Sequence, residues 1–319
     1  MENLNDSDVN LTNCTNINCD FQKGFTYMKN NNTFNYKDKI GRQLLYSFMF
    51  LVIIILVRLD SDTNQTFYNI LITVSVLYIL TNIIKNPLNV IYMSSYLITR
   101  ITRTPAYLDM EALFPSHRLF EEKDTFKKIQ LESLNILKQK HKLKLVKKTY
   151  DNKEIGGGDV QKNNEDGWRL FTVKLGTTYF AENTMPILTK ILKTQPNVIS
   201  CIVSILPAKK AIPIHIGYSK GVMRYQLGIK VPTDRENVFI CVNGEKYNWT
   251  EGEGVLFDDT YPHKVYNNTL EDRVVLYMDV IRPIDNLFLN RLNHTIAFLA
   301  ANSSIAKKEI AETEYQITL

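Results

Sequence analysis

The stretch FDDTYPHKVYNNTLEDRVVLYMDVIRP, residues 257–283, decides the fold. HKVYN and RVVLYMDVI alternate apolar and polar residues, and YNNTLEDR carries the turn between them. A period of two over five to nine residues is the mark of a half-buried strand. The same texture runs back to Trp168 through WRLFTVK, VISCIVSIL, GVMRYQLGIKV, NVFICV, EKYNW and GVLFD. Turn residues separate these runs, as in VNGEK and TEGEG. Short strands at this spacing predict a sandwich or barrel rather than βαβ units. Residues 184–193 read as a helix among them, and Cys201 and Cys241 as buried strand thiols.

Upstream the chemistry changes. Residues 44–57 (LLYSFMFLVIIILV) hold no charge, glycine or proline, and residues 67–84 are interrupted only by uncharged polar side chains. A bilayer span takes roughly 20 residues at about 1.5 Å each. With Arg58 and Lys85 able to snorkel, both runs come close, and LDSDTNQT joins them. We read a transmembrane helical hairpin, the alternative being two buried core helices. Lys37, Lys39 and Arg42 precede it, and Lys85, Arg100 and Arg103 follow. The positive-inside rule therefore places both ends in the cytosol. Glycosylation-type matches at Asn248, Asn267, Asn293 and Asn302 argue the other way, but an Asn-rich chain generates them by chance. The Asn-rich start is too poor in aliphatics to order itself and has no apolar signal-peptide core.

The expected organisation is a disordered leader over 1–40, the hairpin over 41–86 and a juxtamembrane linker over 87–118. A strand-rich domain over 119–283 and a helical tail over 284–319 complete it. Residues 124–148 begin as an amphipathic helix and end in KQKHKLKLVKK, which reads equally as a solvated basic face or as headgroup contact. Residues 151–167 read as a loop whose GGG lacks the features of a phosphate loop.

The chain has 319 residues, 38 Lys and Arg against 33 Asp and Glu, and four Cys. That excludes a disulfide scaffold and a zinc-type cysteine cluster, and +5 does not point to nucleic acid. Only five histidines occur, and two of them, His215 and His263, sit at strand edges. Two imidazoles from separate strands of a small barrel can hold Fe, Zn or Cu, or can be ordinary surface histidines. Gly217 occupies the position two after His215, where a ligand carboxylate would complete a two-His-one-carboxylate set. Arg224 and Arg273 fall in apolar strands. If they point inward they need an anion, and two such cations beside a metal pair suit a small dicarboxylate. On an alternating strand they can equally face outward.

From about residue 114 to 283 the chain resembles the aspartyl/asparaginyl β-hydroxylase family. The segments that carry this are AKKAIPIH, HIG followed by RYQLG, CVNGEKYNWTEGE, VLFDDTYPHKVYNN and DRVVLYMDVIRP, with FPSHRLF and GWRLFTV upstream. It is most similar to the membrane-bound, lipid A hydroxylase-like bacterial branch, through YSKGVMRYQLG, DTYPH and the tail IDNLFLNRLNHTIAFLA. The resemblance implies a mainly β, double-stranded β-helix (jelly-roll, cupin-like) oxygenase domain behind the hairpin. It implies Fe(II) held by His215 and His263 alone, with 2-oxoglutarate as cosubstrate. Arg273 and Ser204 would bind the distal carboxylate of 2-oxoglutarate and Arg224 its C1 carboxylate. Gln226 stands where the family's animal enzymes carry His, and Ala208 replaces a usual Gly. The expectation is a membrane-anchored, cytosol-facing dioxygenase acting on a lipid acyl chain or on the β-carbon of Asp or Asn in a polypeptide. The rival is a non-catalytic membrane scaffold on the same fold.

Overall fold

A computed structural model of the chain describes residues 32–60, 65–102, 104–143, 148–150, 153–155 and 167–313. Most of the expected leader, and much of the loop over 151–167, lie outside these residues.

Helices α1 (Asn32–Asp60) and α2 (Gln65–Lys85) form the apolar hairpin. α1 starts within the stretch read as leader. The apolar stretches Asp38–Leu59 and Gln65–Lys85 are 22 and 21 residues long. At about 1.5 Å per residue each matches the roughly 30 Å hydrocarbon thickness of a bilayer. Only 22% and 6% of their most apolar windows is buried, so they are not the core helices of a soluble domain. Helix α3 (Asn89–Ile101) lies along the start of α1, where Ile40, Leu44 and Tyr92 cluster. Gly41 permits this approach, since a Cβ there would land on the Tyr92 carbonyl.

Helix α4 (Lys123–Lys138) is capped by Glu122, whose carboxylate accepts from the amides of Asp124 and Thr125. Its buried residues Ile129, Ser133 and Ile136 recur at helical spacing. The short pair β1 (Lys148–Tyr150) and β2 (Lys153–Ile155) follows, partly within the stretch read as loop. Then come β3 (Arg169–Leu175), β4 (Thr178–Tyr179) and helix α5 (Pro186–Lys193).

Eight strands build the domain: β5 (Val198–Leu206), β6 (Lys210–His215), β7 (Val222–Lys230), β8 (Val238–Val242), β9 (Glu245–Tyr247), β10 (Gly254–Phe257), β11 (His263–Asn267) and β12 (Arg273–Ile281). Together with β3 and β4 they form two antiparallel sheets, β10-β7-β12-β5-β3-β4 and β6-β11-β8-β9. This is the double-stranded β-helix pattern of jelly rolls and cupins, open rather than closed into a barrel. Asn243 and Gly244, both at positive φ, make the two-residue turn between β8 and β9.

The larger sheet buries its outer face, including Val203, Tyr225, Leu227 and Leu276, against Ile129 of α4 and Leu188 and Leu192 of α5. Its inner face meets the smaller sheet through Leu206, Val255 and Val275 against Ile212, Ile240 and Val265. At roughly 1.5–3 kcal/mol per buried side chain, these two layers dominate the domain's stability. Cys201 is a buried free thiol, as its strand position predicts. Cys241 departs from that expectation and is disulfide-bonded. Cys14 and Cys19 lie outside the described residues.

The nine residues of β12 run about 27 Å and define the long axis of the sandwich. Arg273 marks one end, where Lys140 pairs with Asp272 at 2.8 Å. Ile281 marks the other, where helix α6 (Leu287–Ala301), followed by α7 (Ser304–Thr313), packs beside α3. The described part of the basic run over 138–148 is therefore at the end away from the hairpin. Of its two readings, this position favours the solvated face.

Candidate metal and anion site

The inner face of β12 carries Arg273, Val275, Tyr277 and Asp279 in period two. Across β7 the same face presents Arg224 opposite Asp279 and Gln226 opposite Tyr277. Across β5, Ser204 faces Val275, one pleat from Arg273. His263 and His215 pair in register on β11 and β6, with ring centroids 4.1 Å apart. The fold thus brings His215, His263, Ser204, Arg224, Gln226 and Arg273 onto the facing surfaces of one cleft.

His263 is buried, and its Nδ1 lies 2.9 Å from the Tyr261 carbonyl. That carbonyl can only accept, so Nδ1 carries the proton and Nε2 keeps its lone pair. Burial, then the neighbouring His215, pushes the imidazole well below its usual pKa. A neutral ring with a free Nε2 is the form that ligates a metal. Among the described residues no three His, Cys, Asp or Glu side chains converge as a ligand set. The donors on offer are two imidazoles.

Gly217 shows what replaces a side chain there. A Cβ at 217 would land on the carboxylate of Asp259, and the Gly217 amide donates to the Asp259 carbonyl at 2.6 Å. Asp259 is buried, and its Oδ1 has no hydrogen-bond partner. Burial pushes its carboxyl up to about 6, with Arg224 opposing. Arg224 donates to Asp279 at 2.8 and 3.0 Å and lies 3.2 Å from Asp259. Burial works against the Arg224 charge, and these two carboxylates more than offset it. Arg224 therefore faces the cleft with its charge already matched.

Arg273 is the opposite case. It is 1% exposed, its Nε has no hydrogen-bond partner, and no carboxylate pairs with it among the described residues. Burial alone brings its guanidinium down to about 9. The guanidinium lies 4.9 Å from the Trp249 ring centroid, and Trp249 Nε1 donates to Gln226 Oε1 at 3.2 Å. Ser204 Oγ accepts from Trp168 Nε1 at 2.9 Å. A buried cation without a counter-charge is costly unless an anion completes it. A carboxylate at the deep end of the cleft would supply the missing counter-charge, and the residues present fit the Fe(II) and 2-oxoglutarate expected of them.

The neighbouring Asp258 does structural work. Arg282 donates to it at 2.7 Å, Lys220 pairs with it, and the Thr104 and Thr260 hydroxyls donate to it. Burial would raise its carboxyl, but the Arg282 and Lys220 charges hold it below the usual range. This clamp fixes the turn that delivers His263. Trp249, Asp259 and Asp279 were not singled out from the sequence. The period-two pattern through Arg273 could have found Asp279. No local signal tells Asp258 from Asp259.

The aspartyl/asparaginyl beta-hydroxylase family model matches residues 123–283, half of the chain. A curated relative, the ornithine lipid ester-linked acyl 2-hydroxylase of Rhizobium tropici, is 36% identical over 89 residues. The match covers 28% of this chain and only 32% of that relative. Among solved structures, a cupin domain of an Enterobacter cloacae transcriptional regulator is 16% identical, with a TM-score of 0.22 over 25% of this chain and 79% of that one. A predicted oxalate decarboxylase of Thermotoga maritima is 12% identical, with a TM-score of 0.25 over 36% and 82%. At these scores the structural likenesses carry no weight for function. The match across the strands that hold the histidine pair and both cleft arginines does: the chain belongs to the aspartyl/asparaginyl β-hydroxylase family.

Proposed function

We propose that the protein is a membrane-anchored, Fe(II)- and 2-oxoglutarate-dependent dioxygenase that hydroxylates an unactivated C–H of a lipid acyl chain. The observation that carries this is Arg273, a buried guanidinium without a counter-charge in the cleft of the paired histidines. The acyl 2-hydroxylase relative and the apolar hairpin support a lipid substrate.

His215 and His263 would hold Fe(II), which when bound supplies the coupling of 2-oxoglutarate decarboxylation by O2 to conversion of C–H into C–OH. Arg273, with Ser204 beside it, would take the distal carboxylate. Arg224 would meet the C1 carboxylate in competition with Asp259 and Asp279, and Gln226 can add an uncharged amide donor. Val255, Val275 and Phe257 keep water from the inner cleft. The test is turnover by the full chain in lipid nanodiscs. Succinate should form only with Fe(II) and 2-oxoglutarate together, in step with a lipid gaining one oxygen. Succinate formation stimulated by an Asp- or Asn-containing peptide, with lipid unchanged, would favour the polypeptide reading of the family name.

The basic flanks support a cytosol-facing domain. One observation favours the other side: Cys241 is disulfide-bonded, and disulfides persist in oxidising compartments. The four glycosylation-type asparagines are engaged in the fold, so an appended acceptor is the cleaner reporter. Asn248, Asn267, Asn293 and Asn302 all donate their side-chain amides to backbone carbonyls. A glycosylation acceptor appended after Leu319 and expressed in a eukaryotic host should stay unmodified. A glycan on it would place the domain in the lumen and turn the substrate preference toward a polypeptide.

A further inference from the structure

Helix α6 exposes an apolar face that nothing in the chain covers among the described residues. Phe288 is 73% exposed, Leu292 39% and Leu299 62%, and their spacing puts them on one side of the helix. Leu287 and Phe298 flank them, also exposed. The opposite side, with Asn293, Ala297 and Ala301, is buried. Helix α6 rests on α3, and α3 lies along the start of α1, where Asp38, Lys39, Arg42 and Gln43 are exposed and after which the exposed apolar surface begins at Tyr46. The exposed side of α6 therefore lies beside the polar end of the apolar hairpin, at the level where a headgroup layer would sit.

The same two helices grip the loop that follows His215. The Lys220 amide donates to Ser95 Oγ of α3 at 2.9 Å. Asn293 Nδ2 of α6 donates to the Gly221 and Arg282 carbonyls at 2.9 and 3.0 Å. The cleft also opens toward this end. Arg273 is sealed, whereas Arg224 and Asp279, six residues along β12, keep about a fifth of their side chains exposed. At the far end the exposed Leu270 sits among Glu271, Asp272 and the Lys140 ion pair.

We infer that α6 lies in the bilayer surface and that the mouth of the cleft, between α3, α6 and residues 217–221, faces the membrane. Phe288, Leu292 and Leu299 occupy the boundary between headgroups and acyl chains, with Arg291 free to snorkel. An acyl chain then reaches the histidine pair without leaving the bilayer, a route that rests on the lipid reading of function. The occupant of this face is a lipid surface rather than a second copy of the chain, because the face sits beside the charged end of an apolar hairpin of spanning length.

The test uses the full chain in nanodiscs, with p-benzoylphenylalanine placed singly at positions 288, 292, 299 and 270. Irradiation should give protein–lipid adducts at the three α6 positions at least about tenfold above position 270, as an interfacial helix requires. Chain–chain adducts at the α6 positions, or lipid adducts no higher than at 270, would overturn the proposal. A triple variant, Phe288→Ser with Leu292→Ser and Leu299→Ser, adds a kinetic readout. It should raise the apparent KM for bilayer lipid while leaving kcat for detergent-dispersed lipid unchanged, and an unchanged KM in bilayers would count against the platform. Lipid adducts without any hydroxylated lipid would sink the proposed activity and leave the platform standing. Hydroxylated lipid without adducts would do the reverse.

Discussion

His215→Ala or His263→Ala is expected to abolish succinate formation and lipid hydroxylation. Each removes one of two imidazoles paired in register across β6 and β11. Among the described residues no third His, Cys, Asp or Glu completes a ligand set, so a single loss leaves one protein donor. Replacing a residue that only orients a metal's ligands typically costs roughly 10- to 100-fold, and losing half of the protein ligands should cost far more. The fold should survive, because the inner apolar layer and the Asp258 clamp do not depend on either ring. Thermal midpoint and circular dichroism check this. Turnover in both variants with Fe(II) affinity unchanged would show that the metal binds elsewhere.

The second large effect belongs to Arg273. Arg273→Leu should weaken 2-oxoglutarate binding by about 2–5 kcal/mol, or roughly 30- to 5,000-fold, because the distal carboxylate loses its only buried cation. Without cosubstrate the same variant should be more stable than wild type at pH 7.5. The sign follows from burial, which brings the Arg273 guanidinium down to about 9, below its ordinary 12.5. A cation depressed in the fold penalises folding fully below pH 9, and the penalty is relieved as pH rises through that value toward 12.5. Removing the charge therefore stabilises the cosubstrate-free protein at pH 7.5, and the advantage shrinks above pH 9. 2-Oxoglutarate at a concentration that just saturates wild type should raise its melting temperature and move that of Arg273→Leu far less. Denaturation followed from pH 7 to 10, with and without 2-oxoglutarate, reads both effects. Wild-type cosubstrate affinity in the variant would mean that the anion sits elsewhere.

How much of this was legible in the sequence depended on range. VISCIVSIL, HKVYN and RVVLYMDVI became strands with the expected ends, because short apolar runs between turn residues are local signals; HKVYN alternates and buries one face, while the other two are buried on both. The two apolar helices were legible from run length and the absence of charge, which are local too. The alternatives left open for His215, His263 and Arg273 concerned which way the side chains point. That is decided by strand pairing across the sandwich, which no single segment encodes. The sequence places Arg224 against an anion or facing outward, and its pairing with Asp259 and Asp279 is not legible there because it depends on contacts 35 and 55 residues away. The fate of position 217 was invisible for the same reason, since the carboxylate that fills it comes from the β10–β11 loop, 42 residues away.

The central claim is that one cleft brings Fe(II) and 2-oxoglutarate together at His215, His263 and Arg273. Anaerobic titration of the full chain tests it most directly, by the visible charge-transfer absorption that Fe(II) acquires on binding a 2-oxo acid. The band should appear in wild type only when both are present. It should be absent from His263→Ala at any 2-oxoglutarate concentration, and in Arg273→Leu it should require far more cosubstrate. No band in wild type, or the same band at the same concentrations in all three proteins, would contradict the claim.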